Sequence, residues 1–393
     1  MLRHPSFSSY YGGTMKRRIG IYLHIPFCVQ KCRYCDFCSV AGAETKQMEA
    51  YINELCRRIE RERTRLSGYL VDTIYFGGGT PTLLPTDLWG RMMETLRECC
   101  EISETCEITC ECNPATAGKK ELRALRALGV NRLSIGLQSI HDDELRLLGR
   151  IHTYGDFLKT FDDARRAGFD NISVDLMYAL PDQTLARFEE SLRRLAELSP
   201  EHISVYGLKI EEGTPFWMQQ DTLRLPDEET ELAMYLACSE ILSQHGYRKY
   251  EISNFAKQGQ ESRHNLRYWK GEEYLGFGVA AHSYFEGERF GNSRDLNAFL
   301  LGEDITEERV CLDPRDLRNE YLMLGLRLVD GICERELSER FGVRFRELLP
   351  ETDRLIEHGY LREDPGHISF TDRGFFVSNA ILAELLAFDE KNC

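Results

Sequence analysis

Three cysteines near the amino terminus, Cys28, Cys32 and Cys35, have the spacing C-x3-C-x2-C. Thiolates at this spacing can bind three irons of one [4Fe-4S] cluster, and the fourth iron stays open to a substrate unless another residue supplies a ligand. A structural zinc site uses four ligands, usually in two separated pairs, and a disulfide would leave one thiol over. The spacing therefore favours a cluster with one open iron, with zinc and plain packing as the alternatives.

The composition is typical of a cytoplasmic globular protein. The 393 residues are 42% hydrophobic and 29% charged, which suits a large core and two domains. The sequence shows no run of about 18 apolar residues and no secretion-type segment, so we expect no membrane span and no export. In a reducing cytoplasm the 14 cysteines would be thiols or cluster ligands. The net charge of −15 argues against nucleic acid as a partner.

Six short segments rich in β-branched and aromatic residues alternate with long amphipathic segments. This alternation predicts an α/β fold with parallel strands and outer helices, and six units predict a partial (β/α)6 barrel of the TIM type rather than a closed eight-fold one. The predicted strands are residues 19–25, 71–76, 106–112, 132–138, 171–177 and 202–208. The predicted helices are residues 44–66, 86–100, 119–128, 154–167 and 184–198.

Glycines and polar residues follow these strands, at the rim where α/β barrels carry their sites. Residues 77–81 (GGGTP) follow the second strand, and glycines there let a backbone approach a ligand closely. Glu111, Gln138, Arg150 and Asp175 lie at or just after later strands, where they could face a charged cofactor. A tight turn would also explain the glycines, and solvation or pairing would explain the polar residues. Asp175, within the apolar run NISVDLM, is the exception, because a buried carboxylate requires a hydrogen-bonding or charged partner.

The segment 264–269 (HNLRYW) combines an imidazole with two aromatic rings. Imidazole is a common axial ligand of haem iron, and aromatic faces pack against a macrocycle. His264, Tyr268 and Trp269 therefore form a candidate haem site, and His282 is a second candidate ligand. A histidine that only hydrogen-bonds to nearby backbone is the simpler explanation for either position.

The chain divides into four predicted regions. Residues 1–18 are a flexible polar tail, 19–210 the partial barrel, 211–310 a connecting region with the HNLRYW segment, and 311–393 a smaller, mainly helical domain. Helices followed by a hairpin make the last region winged-helix-like. It holds 11 basic and 17 acidic residues, so we expect a protein-contact or lid module rather than a DNA-binding one.

Together these motifs resemble the anaerobic (oxygen-independent) coproporphyrinogen III oxidase family of the radical S-adenosylmethionine (SAM) superfamily, and more closely its haem-chaperone branch. The resemblance covers residues 19–385 and rests on YLHIPFCVQKCRYCDF, FGGGTPTLL, ECNP, SIGLQS, LGRIH, VDLMYALP and HNLRYW, in the expected order. Members bind SAM on the open iron of the cluster, and one-electron reduction of the sulfonium yields methionine and a 5′-deoxyadenosyl radical.

The resemblance also implies roles for individual residues. It places the cluster on the three cysteines and haem at the HNLRYW segment, on His264. The residues implied in SAM binding are Tyr22, Tyr34, Gly78, Gly79, Thr80, Glu111, Gln138, Arg150 and Asp175. The last three of these correspond to the region where the oxidase binds a second SAM molecule.

Two departures separate the chain from the oxidase. Phe37 stands where the oxidase has a fourth cysteine, and only 27 residues precede Cys28, or 13 if Met15 is the start, whereas the oxidase has a longer amino-terminal arm. The first hypothesis is therefore a haem chaperone that binds the cluster, SAM and haem. It would deliver haem to a recipient haemoprotein or respiratory enzyme, including a membrane-associated one.

The alternative hypothesis is a radical enzyme that acts on a porphyrinogen and converts coproporphyrinogen III to protoporphyrinogen IX. The SAM-contact residues that the resemblance implies are present and suit either activity. Both activities would take electrons from a donor of the flavodoxin or ferredoxin type.

Overall fold

A computed structural model of the chain describes residues 16–386. Most of the predicted tail, residues 1–15, lies outside the described residues, as do residues 387–393. The first strand begins at Arg17, so its first two residues fall within the predicted tail. The strands are β1 (Arg17–Ile25), β2 (Phe27–Cys28), β3 (Val40–Ala41), β4 (Tyr69–Gly78), β5 (Glu101–Cys112), β6 (Arg132–Gln138), β7 (Ile172–Tyr178), β8 (His202–Gly207), β9 (Arg248–Lys249), β10 (Asn254–Ala256), β11 (Tyr274–Phe277), β12 (His282–Phe285), β13 (Glu288–Asn292), β14 (Thr306–Cys311), β15 (Ile332–Cys333), β16 (Leu361–Asp364) and β17 (His367–Phe370).

Helices connect most of these strands. They are α1 (Thr45–Arg61), α2 (Arg63–Leu66), α3 (Thr86–Cys99), α4 (Lys119–Leu128), α5 (Asp142–Leu148), α6 (Tyr154–Ala167), α7 (Leu185–Glu197), α8 (Pro215–Met218), α9 (Glu228–Gln244), α10 (Arg263–Trp269), α11 (Leu296–Leu300), α12 (Pro314–Gly325), α13 (Glu334–Phe341), α14 (Phe345–Leu348), α15 (Thr352–Glu357), α16 (Asp372–Phe376) and α17 (Ser378–Leu386).

A large sheet organises residues 16–386. Its twelve strands have the open order β14-β13-β12-β11-β1-β4-β5-β6-β7-β8-β10-β9. The strands from β11 to β8 in this order are all parallel, and antiparallel strands extend both ends. The six predicted parallel strands are confirmed as β1 and β4 to β8. The parallel strand β11 was not predicted.

The local sequence explains why these elements form and where they end. The parallel strands lie under helices, so they are apolar along most of their length, and β6 is buried at every residue. Helix α6 begins where the Asp156 N–H donates to the Thr153 hydroxyl at 3.2 Å, and it ends at Gly168, whose φ of +94° suits glycine. Each such helix returns the chain to the start of the next strand. All carboxyl ends therefore meet at one edge of the sheet.

Residues 211–310 do more than connect two domains. They supply β9 and β10 beside β8, and β11 to β14 beside β1. Beyond β11, the antiparallel strands β12 to β14 enlarge the sheet next to the first parallel strand. The sequence analysis predicted a connecting region here and did not predict these strands. They are short and contain glycines, as in YLGF (274–277), so they lack the dense apolar pattern of the other strands.

The last region forms a small module beside the sheet. Its helices α12 to α17 surround a sheet with the order β15-β17-β16, in the helix-then-hairpin order predicted for a winged helix. Lys249 of β9 joins the module to the large sheet, with its Nζ 2.8 Å from Asp372 Oδ1 of α16. Over residues 16–386, the helices are all too short or too polar to cross a membrane.

Candidate functional site

Loops at the carboxyl ends of the parallel strands surround a cavity of about 120 Å³, which we call the thiol cavity. The predicted residues that line it are Cys28, Cys32, Tyr34, Cys35, Gly78, Gly79, Glu111, Gln138, Arg150 and Asp175. The structure thus brings together the three predicted cluster ligands and seven of the nine residues implied in SAM binding. Of the other two, Tyr22 lines an adjoining cavity, and Thr80 lies beside Cys28.

The cysteine loop joins β2 to β3, and neighbouring loops fix its backbone. The Arg33 N–H donates to the Leu148 carbonyl at 3.0 Å, and the Phe216 N–H donates to the Arg33 carbonyl at 3.0 Å. The Gly42 N–H donates to the Cys28 carbonyl at 3.1 Å. Because these bonds tie the loop to α5 and α8, the thiols are held on ordered backbone.

The three thiols suit a cluster better than a single metal ion. Among residues 16–386 no three metal-binding side chains surround one point, and a cubane needs no such point because each thiolate binds a different iron. Thr80 Oγ1 lies 3.6 Å from Cys28 Sγ, and Arg150 Nη1 lies 3.6 Å from Cys32 Sγ, so both can donate to anionic sulfur. Burial raises the pKa of Cys28 and raises the pKa of Cys35 to about 11. Cys28 and Cys35 therefore stay protonated until iron displaces their protons.

The glycine loop after β4 packs on the base of the cysteine loop. The Gly79 N–H donates to the Ile25 carbonyl at 2.8 Å, and the Thr80 N–H donates to the Phe27 carbonyl at 2.7 Å. A Cβ on Gly79 would lie 2.7 Å from the Phe27 carbonyl oxygen, and Gly78 has a φ of +110°. The glycines therefore form a tight turn, and both also line the thiol cavity.

Two carboxylates, Glu111 and Asp175, line the same cavity. The Tyr75 hydroxyl and the Gly78 N–H each donate to Glu111 at 3.0 Å, and the Ser134 hydroxyl donates to Asp175 at 3.2 Å. Burial, and then repulsion by Asp175, raise the pKa of Glu111 to about 7, and burial raises the pKa of Asp175 to about 6. Poorly solvated carboxylates gain most from a cation, so this wall suits the positive groups of SAM.

Gln138 and Arg150 form another part of the wall. Gln138 ends β6 with a φ of +71°, which is rare for a side-chain-bearing residue, and the Tyr206 hydroxyl donates to its Oε1 at 2.9 Å. Arg150 Nη2 donates to Asn113 Oδ1 at 2.6 Å and to the Gly136 carbonyl at 2.8 Å. Strained backbone and buried charge often mark functional sites. The roles of Asn113 and Tyr206 were not predicted, although Asn113 belongs to the ECNP motif and both residues lie at the end of a strand.

A second cavity, of about 750 Å³, adjoins the thiol cavity, and we call it the outer cavity. Phe37, Gly78 and Glu111 line both cavities. The volume falls within the roughly 300–1,000 Å³ typical of cofactor and ligand sites. Other side chains that line the outer cavity are Tyr22, His24, Asp36, Cys38, Tyr268, Tyr274, His282, Asn292, Arg294, Glu307 and Glu308.

His264 lines neither cavity. Its ring is fully buried under α10, with Nδ1 hydrogen-bonded to the Thr73 hydroxyl at 2.9 Å and Nε2 to the Tyr268 hydroxyl at 2.8 Å. Burial lowers the pKa of His264 to about 3, so the imidazole is neutral at physiological pH. Ligation of haem iron by His264 would require one of these hydrogen bonds to break.

The HNLRYW segment as a whole does not face one ligand, which corrects the sequence-based picture. Tyr268 lines the outer cavity, whereas Trp269 borders a separate cavity of about 380 Å³ beside α12. The seven residues of α10 are helical, so neighbouring side chains point in different directions. Only part of the segment can therefore contact a molecule in the outer cavity.

Comparisons with known proteins agree with this geometry. The radical SAM superfamily model matches residues 22–195, and the HemN C-terminal domain model matches residues 312–377. Heme chaperone HemW of Bacillus subtilis is 35% identical, covering 93% of this chain and 98% of its own length. The chain belongs to the HemW family of radical SAM proteins. Heme chaperone HemW of Escherichia coli is 33% identical over 94% of this chain and 98% of its own length.

Among solved structures, the chain is similar to HemN. Escherichia coli HemN, a coproporphyrinogen III oxidase and radical SAM enzyme, matches with a TM-score of 0.83 and 25% identity, over 95% of this chain and 91% of HemN. This match confirms the predicted α/β radical SAM fold with its smaller helical module. It also confirms the resemblance that the motifs indicated.

Proposed function

We propose that this member of the HemW family binds a [4Fe-4S] cluster, SAM and haem, and delivers the haem to a recipient haemoprotein. The observation that carries the proposal is the adjacency of the thiol cavity and the outer cavity, which share part of their lining. Relatives at 32–35% identity over most of the chain are named heme chaperones.

In the thiol cavity, Cys28, Cys32 and Cys35 would hold the cluster. Glu111 and Asp175 would attract the positive groups of SAM, because their charges are poorly solvated without a cation. The residues proposed to shape the rest of the SAM site are Tyr22, Tyr34, Gly78, Gly79, Thr80, Gln138 and Arg150. In this arrangement the chain orients and shields the cofactors, which supply the redox chemistry.

In the outer cavity, aromatic side chains offer faces for a flat tetrapyrrole. Three tyrosines line it: Tyr268 and Tyr274, which meet edge to face at 4.5 Å, and Tyr22. The described cysteines are unpaired thiols, which suits a reducing cytoplasm and a one-electron donor of the flavodoxin or ferredoxin type. The recipient would be a haemoprotein or respiratory enzyme, including one at the membrane.

The cluster can be tested by anaerobic reconstitution followed by iron and sulfide analysis. We expect about four irons per chain in the parent and a large loss in Cys32→Ala, because the cubane needs each thiolate. Cys38→Ala is the matched control, since this nearby thiol lines the outer cavity and not the thiol cavity. Equal iron and sulfide in Cys32→Ala and the parent would contradict the assignment.

Haem delivery can be tested by mixing the haem-loaded chain with haem-depleted haemoproteins from the source organism. Delivery by contact gives a transfer rate that rises with acceptor concentration, whereas passive release gives a rate independent of it. We expect the first behaviour with the physiological recipient. If the transfer rate were independent of acceptor concentration with every acceptor, the protein would bind haem but would not act as a haem chaperone.

The second candidate function is coproporphyrinogen III oxidation, which the match to HemN favours. Phe37, exposed between the two cavities, stands at the position of the fourth cysteine of the oxidase and argues against it. Reconstituted protein, SAM, a reductant and coproporphyrinogen III decide the question. Formation of protoporphyrinogen IX over many turnovers would replace the chaperone assignment.

A further inference from the structure

We infer that His282 is an axial ligand of haem iron in the outer cavity, and that His264 is a positioning residue that holds Tyr268 in the cavity wall. This inference rests on the proposed haem binding and adds the ligand to it. Two observations carry it: the bonding state of the histidines at this cavity, and the placement of His282 on the β12–β13 pair.

Three histidines lie in or directly behind the wall of the outer cavity. His24 has Nδ1 hydrogen-bonded to the Tyr22 hydroxyl at 3.1 Å and Nε2 to the Cys38 carbonyl at 2.8 Å. Both ring nitrogens of His264 are hydrogen-bonded as well, and the ring is fully buried. The His282 ring is exposed and has no hydrogen-bond partner within residues 16–386. Because an axial ligand needs a free ring nitrogen, His282 is the histidine of this wall that can bind iron without breaking a bond.

The position of His282 on the sheet is well defined. It begins β12 and pairs with Gly291 of β13. A Cβ on Gly291 would lie 2.8 Å from His282 Nδ1, so the imidazole occupies space that a side chain at this position would need. The next residue, Ser283, is buried, and its hydroxyl accepts a hydrogen bond from the Gly276 N–H at 3.0 Å. The ring therefore stands on ordered strands, as a preorganised ligand requires.

Charge in the outer cavity gives haem a preferred orientation. Among the described residues that line the cavity, Arg294 is the only arginine or lysine, and its Nη2 lies 3.0 Å from Asp36 Oδ2 in an exposed ion pair. Glu307 and Glu308 of β14 line the cavity as well and would repel carboxylates. The propionates of haem are therefore expected near Arg294, which is free to exchange an exposed partner for them.

His264 affects this cavity through its neighbours. Its Nε2 is bonded to the Tyr268 hydroxyl, and its ring stacks on Tyr75 at 5.3 Å. The Tyr75 hydroxyl in turn donates to Glu111, which lines both cavities. Removing the imidazole would free Tyr268 and loosen this chain of contacts. Haem affinity should then fall while the iron keeps its ligand.

The test is a titration of the anaerobic full-length protein with ferric haem, followed by Soret absorption and electron paramagnetic resonance. Compared with the parent, His282→Ala should lose the signature of histidine ligation and bind at least tenfold more weakly. Added imidazole should restore the signature in His282→Gly, because it can occupy the vacated space. His282→Gln serves as a second variant that keeps the polar character and approximate size of the side chain.

Two further variants separate ligation from positioning. His264→Ala should bind haem more weakly but show the histidine signature at saturation. His358→Ala is the matched control, since this exposed histidine lies beyond α15 and bonds only to the Arg354 carbonyl within its own turn. It should behave as the parent.

The inference is overturned if His282→Ala and His282→Gln keep the parent spectrum and affinity. It is also overturned if His264→Ala loses the signature and imidazole restores it, because His264 would then be the ligand. Failure of the parent itself to bind haem would instead reject the proposed function, and the inference with it.

Discussion

At the scale of single residues, the charge of Glu111 should control the affinity for SAM. Its pKa is raised to about 7, and a bound cation favours the ionised carboxylate, so binding below pH 7 must displace a proton. Between pH 8 and pH 6 the dissociation constant should therefore rise about tenfold. Anaerobic equilibrium dialysis of reconstituted protein against SAM measures this change.

Two variants serve as controls for this pH dependence. Glu111→Gln should bind SAM more weakly, and over the same pH range its dissociation constant should rise only about twofold, from protonation of Asp175. Asp175→Asn keeps Glu111, so the rise in the dissociation constant should remain. It should occur at lower pH, because Asp175 no longer raises the pKa of Glu111 by repulsion. A pH step that survives in Glu111→Gln would show that another group is responsible.

The sequence could identify candidate reactive residues but could not predict their hydrogen-bond partners. Cys28, Cys32 and Cys35 line one cavity because the short loop that contains them keeps them together, and their role as cluster ligands stays a prediction. The bonds of His264 join it to Thr73, nearly 200 residues away in the chain, and to the motif's own Tyr268. No local pattern predicts the first contact, so the sequence left His264 as either a haem ligand or a hydrogen-bonded histidine.

At the scale of elements, the contact between the glycine loop and the cysteine loop should be sensitive to a single methyl group. Gly79→Ala places a Cβ 2.7 Å from the Phe27 carbonyl oxygen, and backbone on both sides leaves little room to relax. We expect a loss of about 1–3 kcal/mol in the free energy of unfolding and reduced iron incorporation. Urea unfolding and iron analysis measure the two effects.

Gly90→Ala is the matched control for this substitution. Gly90 lies inside α3, and a Cβ there meets no atom within 4 Å. Alanine favours the helix over glycine by roughly 0.5–1 kcal/mol, so this variant should be as stable as the parent or more stable, with full iron content. Equal stability of Gly79→Ala and Gly90→Ala would contradict the close packing that the structure shows.

The main parallel strands could be predicted because each is a dense apolar run bounded by turn residues. Strand β6 even matches its predicted bounds, residues 132–138. Strand β11 was missed because it has four residues, one of them glycine, and gains its stability from pairing with β1. Strands β12 to β14, which carry His282 and much of the outer cavity, depend on the same kind of long-range pairing.

At the scale of the whole molecule, the small helical module contacts both ends of the strand order. Lys249 of β9 pairs with Asp372 of α16, and Arg289 of β13 pairs with Glu320 of α12, with Nε 2.7 Å from Oε1. Because the outer cavity is built beside β11 to β14, the module adjoins the strands that form it. Its attachment rests in part on a buried ion pair.

Breaking that ion pair should weaken the attachment. Lys249 is only 9% exposed, and its Nζ contacts Asp372 Oδ1 at 2.8 Å and the Tyr235 hydroxyl at 2.6 Å. Asp372→Asn removes the carboxylate that contacts the ammonium and leaves Glu251 as the nearby acidic group. The free energy of unfolding should therefore fall by about 1–3 kcal/mol, less than for a fully buried pair because the Asp372 carboxylate is 34% exposed. Urea unfolding followed by tryptophan fluorescence measures the loss.

Two comparisons make this prediction specific to the pair. Lys249→Met combined with Asp372→Asn removes both charges and should recover most of the stability, since no buried ammonium remains. Glu351→Gln breaks an exposed pair with Arg354 on the same module and should change stability by less than about 0.5 kcal/mol. If Asp372→Asn cost no more than Glu351→Gln, the contact between Lys249 and Asp372 would add nothing to the attachment of the module, which apolar packing and the pair of Arg289 with Glu320 would then maintain.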